Sequence, residues 1–348
     1  MLRKILIARG GKMSSFSGLG STHKHHLDSL KSGSLKGYKV NEVHEYERSG
    51  NPLSRIWKRW FSGPKNVALM SKNNDITHIT DQEQAILCPV DGKSVITIHD
   101  LFHVFPFEHD GVKIGDNSPS LIRKRDLKKI KQGIQRASML ICISKYTQIE
   151  CEMRFPGIPT AYVPHAIDIE KYSIKTTRPH WFSEGKNLLI IGSEEERKRV
   201  DFAIKVCGGL DVTLHKIGAE SSEKSKKKLC SLAMKSNCKL NWVGRLETDE
   251  MIAALQHADA LLFPSVAEGF GLPPLEAYAS GTIALVADAP AHNEIPLEEH
   301  ILPVNDVEAW RNAISNLQPN PDAVRHRANE FSKEKWSERM KIAYDSLF

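Results

Sequence analysis

The chain has 348 residues, of which 41 % are hydrophobic and 26 % charged, with a formal net charge of +6. That length suits two domains of about 150–180 residues each better than one ordinary α/β core, and the composition excludes a disordered chain. No stretch approaches the roughly 20 apolar residues needed to span a bilayer. Charge is uneven. Residues 1–175 hold 27 Lys+Arg and 17 Asp+Glu, and the remainder 21 and 25, so the halves carry +10 and −4. A basic first half points to an anionic partner, either membrane phospholipid or nucleic acid, or else to a surface imbalance with no partner. The six cysteines are scattered without a CxxC pair, as in a reduced, cytoplasmic protein.

Met1–Arg9 has two early basic residues and a short apolar run that stops at Gly10-Gly11, which reads as a first buried strand rather than a signal peptide. Short apolar runs then alternate with helical patterns, the mark of α/β architecture with parallel sheets. In the first half, strands are expected at 5–8, 85–88, 95–98, 140–143 and 161–163. In the second they are expected at 188–191, 212–216, 240–243, 260–263 and 282–286. The polar stretch 171–186 (KYSIKTTRPHWFSEGK) reads as a linker between two doubly wound domains. The expected division is 1–172, 173–330 and a terminal helix over 331–348. Two such domains make a cleft, with ligands at the carboxyl ends of the strands.

Residues 263–281 (FPSVAEGFGLPPLEAYASG) are the most informative segment. A strand ends in Pro264-Ser265, and a loop carries Glu268, Gly269, Phe270, Gly271 and Leu272. Pro273-Pro274 opens a helix, where a missing N–H costs nothing. Glu276 is expected on its first turn. Glycines flanking Phe270 let backbone approach a ligand. A helix N-terminus attracts phosphate, and carboxylates can accept bonds from sugar hydroxyls. This pattern resembles glycosyltransferase family 4, whose hallmark is two glutamates in an EGFGLPxLEAxAxG context. The resemblance implies the GT-B fold: an acceptor-binding Rossmann-like domain, a donor-binding one, and a C-terminal helix crossing back to the first.

Other segments resemble the family in order. Ser14–Thr22 matches its Gly-rich loop through Gly18 and Gly20, with Ser17 replacing the first glycine of the usual pair. His99 at a strand end matches a histidine near the reacting sugar. Residues 137–147 and 163–168 resemble architectural turns, with His165-Ala166 in place of Asn-Gly. Arg197 and Lys198 match a pair that clamps the donor diphosphate, although Ser193 stands where some members have an arginine. Cationic heads suit phosphates whose charge rises as the sugar leaves. The alternative for this basic triplet is a surface ion-pair cluster. Arg245 and Leu246 match a loop near the nucleobase, and 331–348 the terminal helix, with its tryptophan displaced to Trp336.

The resemblance implies a retaining hexosyltransferase that needs no protein nucleophile, in which the leaving diphosphate takes the acceptor proton. Glu268 would orient the sugar, Glu276 would hold a ribose, and His99 would support the reacting centre. The donor would be a GDP- or UDP-sugar, with mannose weakly favoured. The acceptor would be a glycan or lipid-linked oligosaccharide of a bacterial surface polysaccharide. No Asp-x-Asp occurs, so no metal or other cofactor is expected. His23, His25 and His26 lack the carboxylates or cysteines of a metal set. Residues 52–63 (PLSRIWKRWFSG) interleave Arg55, Lys58 and Arg59 with Trp57 and Trp60, which suits peripheral contact with an anionic inner membrane or an amphipathic helix packed on the domain. Two readings compete with the enzyme. One is an inactive sugar-nucleotide-binding or scaffold protein. The other is a basic nucleic-acid-binding protein, for which recognition motifs are missing, so no nucleic-acid partner is expected.

Overall fold

A computed structural model describes residues 2–11, 27–29, 31, 34–46 and 50–348. Gly18, Gly20, His23, His25 and His26 lie outside the described residues. The chain divides into two compact units. Unit 1 comprises Met1–Phe107, Ile114–His165 and Lys333–Phe348; unit 2 comprises Glu108–Lys113 and Ala166–Ser332. The expected boundary at 172/173 lies inside unit 2.

Unit 1 is built on β1 (Arg3–Gly11), β2 (Tyr38–Tyr46), β3 (Ile76–Ile79), β4 (Ser94–Ile98), β7 (Met139–Cys142) and β8 (Thr160–Tyr162); between β4 and β7 in the chain comes a small hairpin, β5 (Phe107–His109) and β6 (Val112–Ile114), most of which belongs to unit 2. All six strands of the main sheet run parallel in the order β2-β1-β3-β4-β7-β8. The central strands are buried on both faces, so they read as unbroken apolar runs.

The expected strand at 85–88 is instead part of a 3₁₀ turn, Gln82–Leu87. Asp81 caps it by accepting from the Glu83 N–H at 2.8 Å. Its apolar residues are buried against the helix Leu121–Gln135, which presents Gly133 there. A Cβ on Gly133 would come within 1.9 Å of the Ala85 carbonyl oxygen, so this crossing needs glycine. Three strands and the hairpin were not expected: β2 and β3 here, and β14 (Ile301–Leu302) in unit 2.

The last helix, Lys333–Asp345, belongs to unit 1. Tyr344 Oη shares a 2.6 Å hydrogen bond with His78 Nδ1, and His78 Nε2 another of 2.8 Å with Thr97 Oγ1. Tyr38 Oη donates to Asp345 Oδ1 at 2.6 Å. Buried polar groups are thereby satisfied where helix meets sheet.

Unit 2 holds β9 (Lys186–Ile191), β10 (Val212–Ile217), β11 (Lys239–Gly244), β12 (Ala260–Phe263), β13 (Ile283–Ala287) and β14, all parallel in the order β11-β10-β9-β12-β13-β14. This is the doubly wound order of a Rossmann-like sheet, and its direction reverses between β9 and β12. The stretch 171–186 is not a bare linker. Phe182 is buried and stacks on His215 at 4.9 Å, and Thr176 bonds Gln256. Among the described residues, no helix is long and apolar enough to cross a membrane.

Candidate functional site

In a doubly wound sheet, ligands bind beyond the carboxyl ends of the strands at the switch point. Here two loops leave the sheet there, one after β9 and one after β12. The first runs through Gly192 to a 3₁₀ turn, Glu196–Lys198, and the second carries Pro264–Gly271. They are stitched together by the Val266 N–H donating to the Arg197 carbonyl at 2.9 Å. The side chains follow. Lys198 Nζ lies 2.5 Å from Glu268 Oε1, and an Arg197 guanidinium nitrogen 2.8 Å from Glu268 Oε2. That same nitrogen donates to the Ala267 carbonyl at 3.0 Å. Glu195 accepts from Arg197 Nε at 2.8 Å and from Ser193 Oγ at 2.9 Å.

Three residues expected from the sequence thus converge on one point. Glu268 is buried, which by itself would raise its carboxyl, but Lys198 and Arg197 outweigh that and hold it down at about 2. It is a carboxylate throughout the physiological range. Burial works against the charge on Arg197, and Glu268 with Glu195 more than restores it.

Behind Glu268 sits His292, which the sequence reading did not single out. It is fully buried, edge-on to Phe263 at 5.3 Å, and burial lowers it to about 4. The backbone of Ser265 and Pro290 faces the ring, yet neither nitrogen reaches hydrogen-bonding geometry. Gly271 adopts φ +108°, and a Cβ there would meet His292 Cβ at 2.8 Å. That glycine is required on both counts.

The helix Leu272–Ser280 starts at Leu272, so Glu276 is its fifth residue and opens the second turn, not the first. Its carboxylate accepts from Tyr172 Oη at 2.9 Å, and burial raises its pKa. Tyr172 lies in the stretch read as linker. The Phe270 ring is buried against Phe331 at 5.8 Å. Gly269 and Leu272 are half-buried at the same loop.

The neighbouring strand ends are lined by glycines. Gly192, Gly218 and Gly244 all have positive φ. Gly192 N–H donates to the Ile217 carbonyl at 3.0 Å, and Gly218 N–H to the Gly244 carbonyl at 2.7 Å. A Cβ on Gly218 would lie 2.6 Å from the Gly192 carbonyl oxygen. Arg245, after β11, is exposed, and Leu246 half-buried. Beneath this edge, the fully buried Lys216 pairs with Glu194.

His99 is in unit 1, just beyond β4. It is buried, its Nε2 lies 2.9 Å from the Thr80 carbonyl oxygen, and its N–H donates to Gln82 Oε1 at 2.9 Å. The ring of His165 lies 5.3 Å away.

The buried histidines make stability pH-dependent. His292 and His215 both fall from 6.5 to about 4, chiefly through burial. The unfolded chain therefore binds more protons between those values. Stability present above pH 6.5 is lost as pH falls towards 4, by at most about 3 kcal/mol for each ring. Glu268, held down at about 2, adds its own loss only below 4.5. Urea midpoints at pH 7.5, 6 and 5 check this; a constant midpoint would sink it.

Comparison with known proteins comes to the same unit. Residues 175–335 match the family described as "Glycosyl transferases group 1". The chain is 39 % identical over 88 residues to the O-antigen chain mannosyltransferase RfbU of Salmonella typhimurium strain LT2, a match covering 25 % of each chain. It is 24 % identical over 279 residues to the serotype-specific mannosyltransferase WbdA of Escherichia coli, covering 73 % of this chain and 33 % of that protein. It thus spans a quarter to a third of the length of these relatives. The structure of Anabaena HepE in complex with UDP superimposes with a TM-score of 0.75 at 14 % identity, over 99 % of this chain and 100 % of the other, a likeness of fold. Two Rossmann-like sheets of the GT-B fold are therefore present, and residues 175–335 are similar to the glycosyl transferases group 1 family.

Proposed function

We propose that the protein is a retaining hexosyltransferase of glycosyltransferase family 4. It moves a hexose, of mannose type, from a GDP- or UDP-sugar to a glycan or lipid-linked acceptor. The setting is assembly of a bacterial surface polysaccharide, O antigen or capsule, at the cytoplasmic face of the inner membrane. The observation that carries this is the meeting of Arg197, Lys198 and Glu268 at the switch point of unit 2. Two cations converging on a carboxylate can equally receive a diphosphate, whose oxygens offer the same charge and acceptor geometry. A donor's phosphates would compete with Glu268 for Lys198 and Arg197 and free its carboxylate for sugar hydroxyls. Glu276, one helix turn on, would take the ribose. The mannosyltransferase relatives and the UDP complex of HepE support the class of donor.

The chemistry asked of the protein is positioning and charge stabilisation. As the anomeric bond breaks, negative charge grows on the diphosphate beside Lys198 and Arg197. The acceptor hydroxyl attacks from the same face and gives its proton to the departing phosphate. No step needs a metal, so activity is expected to survive EDTA in full; loss with EDTA and rescue by manganese would overturn that expectation.

The direct test is a thermal-shift panel of UDP, GDP, ADP and their common sugar conjugates. A ligand that binds only the folded state raises the melting temperature with saturation. One nucleotide is expected to stand out, and its shift to disappear in Glu276→Ala. No shift with any of them would remove the donor-site reading and favour a scaffold. Donor hydrolysis without acceptor separates an active enzyme from an inactive binder.

A further inference from the structure

A buried polar group without a partner destabilises a fold, and native chains satisfy nearly all such groups. His292 breaks that rule twice over. Its ring is fully buried, and neither of its nitrogens makes a hydrogen bond. An apolar side chain of similar size would fill the place without that penalty.

The backbone is nevertheless built to keep the ring there. Ala291, the residue before it, is held at φ +72° and ψ −55°, where an L side chain is strained. The short turn that follows, His292–Glu294, is fixed by the helix Pro321–Asn329. From that helix Arg327 donates to the Ile295 carbonyl at 2.9 Å and to the Glu294 carbonyl at 2.6 Å. Asn293 Nδ2 adds a bond to Asp288 Oδ1 at 3.0 Å. On the other side stands Gly271, whose missing Cβ makes room for His292 Cβ. Two left-handed positions, Gly271 and Ala291, thus meet at one side chain. Strain and an unsatisfied buried ring at the same place mark a functional constraint.

The neighbours of the ring indicate its use. Glu268 and Lys198 are the charged groups that act on it. Of the acids on its own segment, Asp288 is exposed and Glu294 half-buried. Glu268 is buried and now has Lys198 and Arg197 as partners. A donor's diphosphate would draw both cations to itself. A buried carboxylate so deprived is costly unless another donor replaces them.

We propose that His292 is that replacement: a ring N–H donates to the freed Glu268 carboxylate and holds it towards the hydroxyls of the donor sugar. His292 is a positioning residue, since it acts through Glu268 and touches neither sugar nor phosphate. The neutral ring suffices, because an imidazole carries one N–H in that form. The proposal deepens the transferase reading and rests on it.

The test compares the native chain with His292→Leu, His292→Asn and His292→Gln. The probes are GDP and UDP, each with and without its sugar as GDP-mannose and UDP-glucose. A nucleoside diphosphate alone needs only the cations, so its thermal shift is expected to be unchanged in His292→Leu. The additional shift that the sugar gives is expected to disappear. With the donor so found, kcat/KM is expected to fall about 10–100-fold, the worth of a hydrogen bond to a charged group. The urea midpoint of His292→Leu is expected to rise, because an unsatisfied polar group is gone. Asparagine sets an N–H near the place of Nδ1 and glutamine near that of Nε2, so one of the two is expected to recover the sugar's share of the shift and part of kcat/KM.

An intact sugar contribution and intact kcat/KM in His292→Leu would overturn the proposal and leave the donor site standing. A lowered midpoint with loss of the nucleoside diphosphate shift in all three variants would also overturn it, by making His292 a packing residue. No shift of the native chain with any nucleotide would remove the transferase reading, and the role of His292 with it.

Discussion

Replacing Lys198 by alanine is expected to lower kcat/KM for sugar transfer by about 10²–10³-fold, the effect of removing one preorganised charge at a developing anion. The reason is position. Lys198 Nζ approaches Glu268 at 2.5 Å, and Arg197 the same carboxylate at 2.8 Å, so both cations are already aimed where a diphosphate would compete. If the charge acts on the leaving group, kcat must fall with kcat/KM, because the interaction strengthens only as the bond breaks. A raised KM with unchanged kcat would confine Lys198 to ground-state binding. Lys198→Arg keeps the charge but replaces a point ammonium by a planar fork, so partial rescue is expected. Glu268→Gln separates the roles further. It removes the carboxylate charge with little change in shape and is expected to cost activity comparably, through loss of hydroxyl acceptance from the sugar. Initial rates of nucleoside diphosphate release, with the donor found by thermal shift, measure all three.

The second large effect is on stability. Lys216→Met is expected to cost about 3–5 kcal/mol in urea unfolding, because it leaves a buried carboxylate without its cation. Lys216 is fully buried on β10, bonded to Glu194 and to the Gly218 carbonyl at 3.3 Å, with its ammonium 4.6 Å from the Trp242 ring centroid. Glu194 also accepts the Ser221 N–H at 2.5 Å, and although burial would raise its carboxyl, these partners lower it. Lys216→Met/Glu194→Leu is expected to recover most of the loss, since neither charge is then stranded. A single-variant cost below about 1 kcal/mol would mean that the pair does not hold the edge. Glu194 lies between Gly192 and Arg197, so the same pair anchors the loop that presents Arg197 and Lys198. Lys216→Met is therefore also expected to shrink the nucleotide-induced shift.

Much of this was legible in the amino-acid order. Strands β9, β12 and β13 stand out because a strand buried on both faces is a short unbroken apolar run. The EGFGLPPLEA segment announces its own turn through its glycines and prolines, and with it the position of Glu268. The misread run 85–88 shows the limit of that signal. Four apolar residues read alike whether a sheet or a helix crossing buries them, and here the crossing at Gly133 won. The edge strand β2, YKVNEVHEY, went unseen because one buried position in several leaves no continuous run.

Pairings across the chain were beyond such reading. Whether Trp57 or Trp60 faces solvent depends on Asp126, far along the sequence, which accepts from Trp60 Nε1 at 2.8 Å while Trp57 stays exposed. Glu276 meets Tyr172, and His292 comes to rest behind Glu268, for the same kind of reason. Local order specifies backbone preference and burial pattern, which are properties of neighbours. Which carboxylate a given cation or hydroxyl finds is set by how strands from distant segments line up at the sheet's edge, and that alignment exists only once the chain has closed on itself.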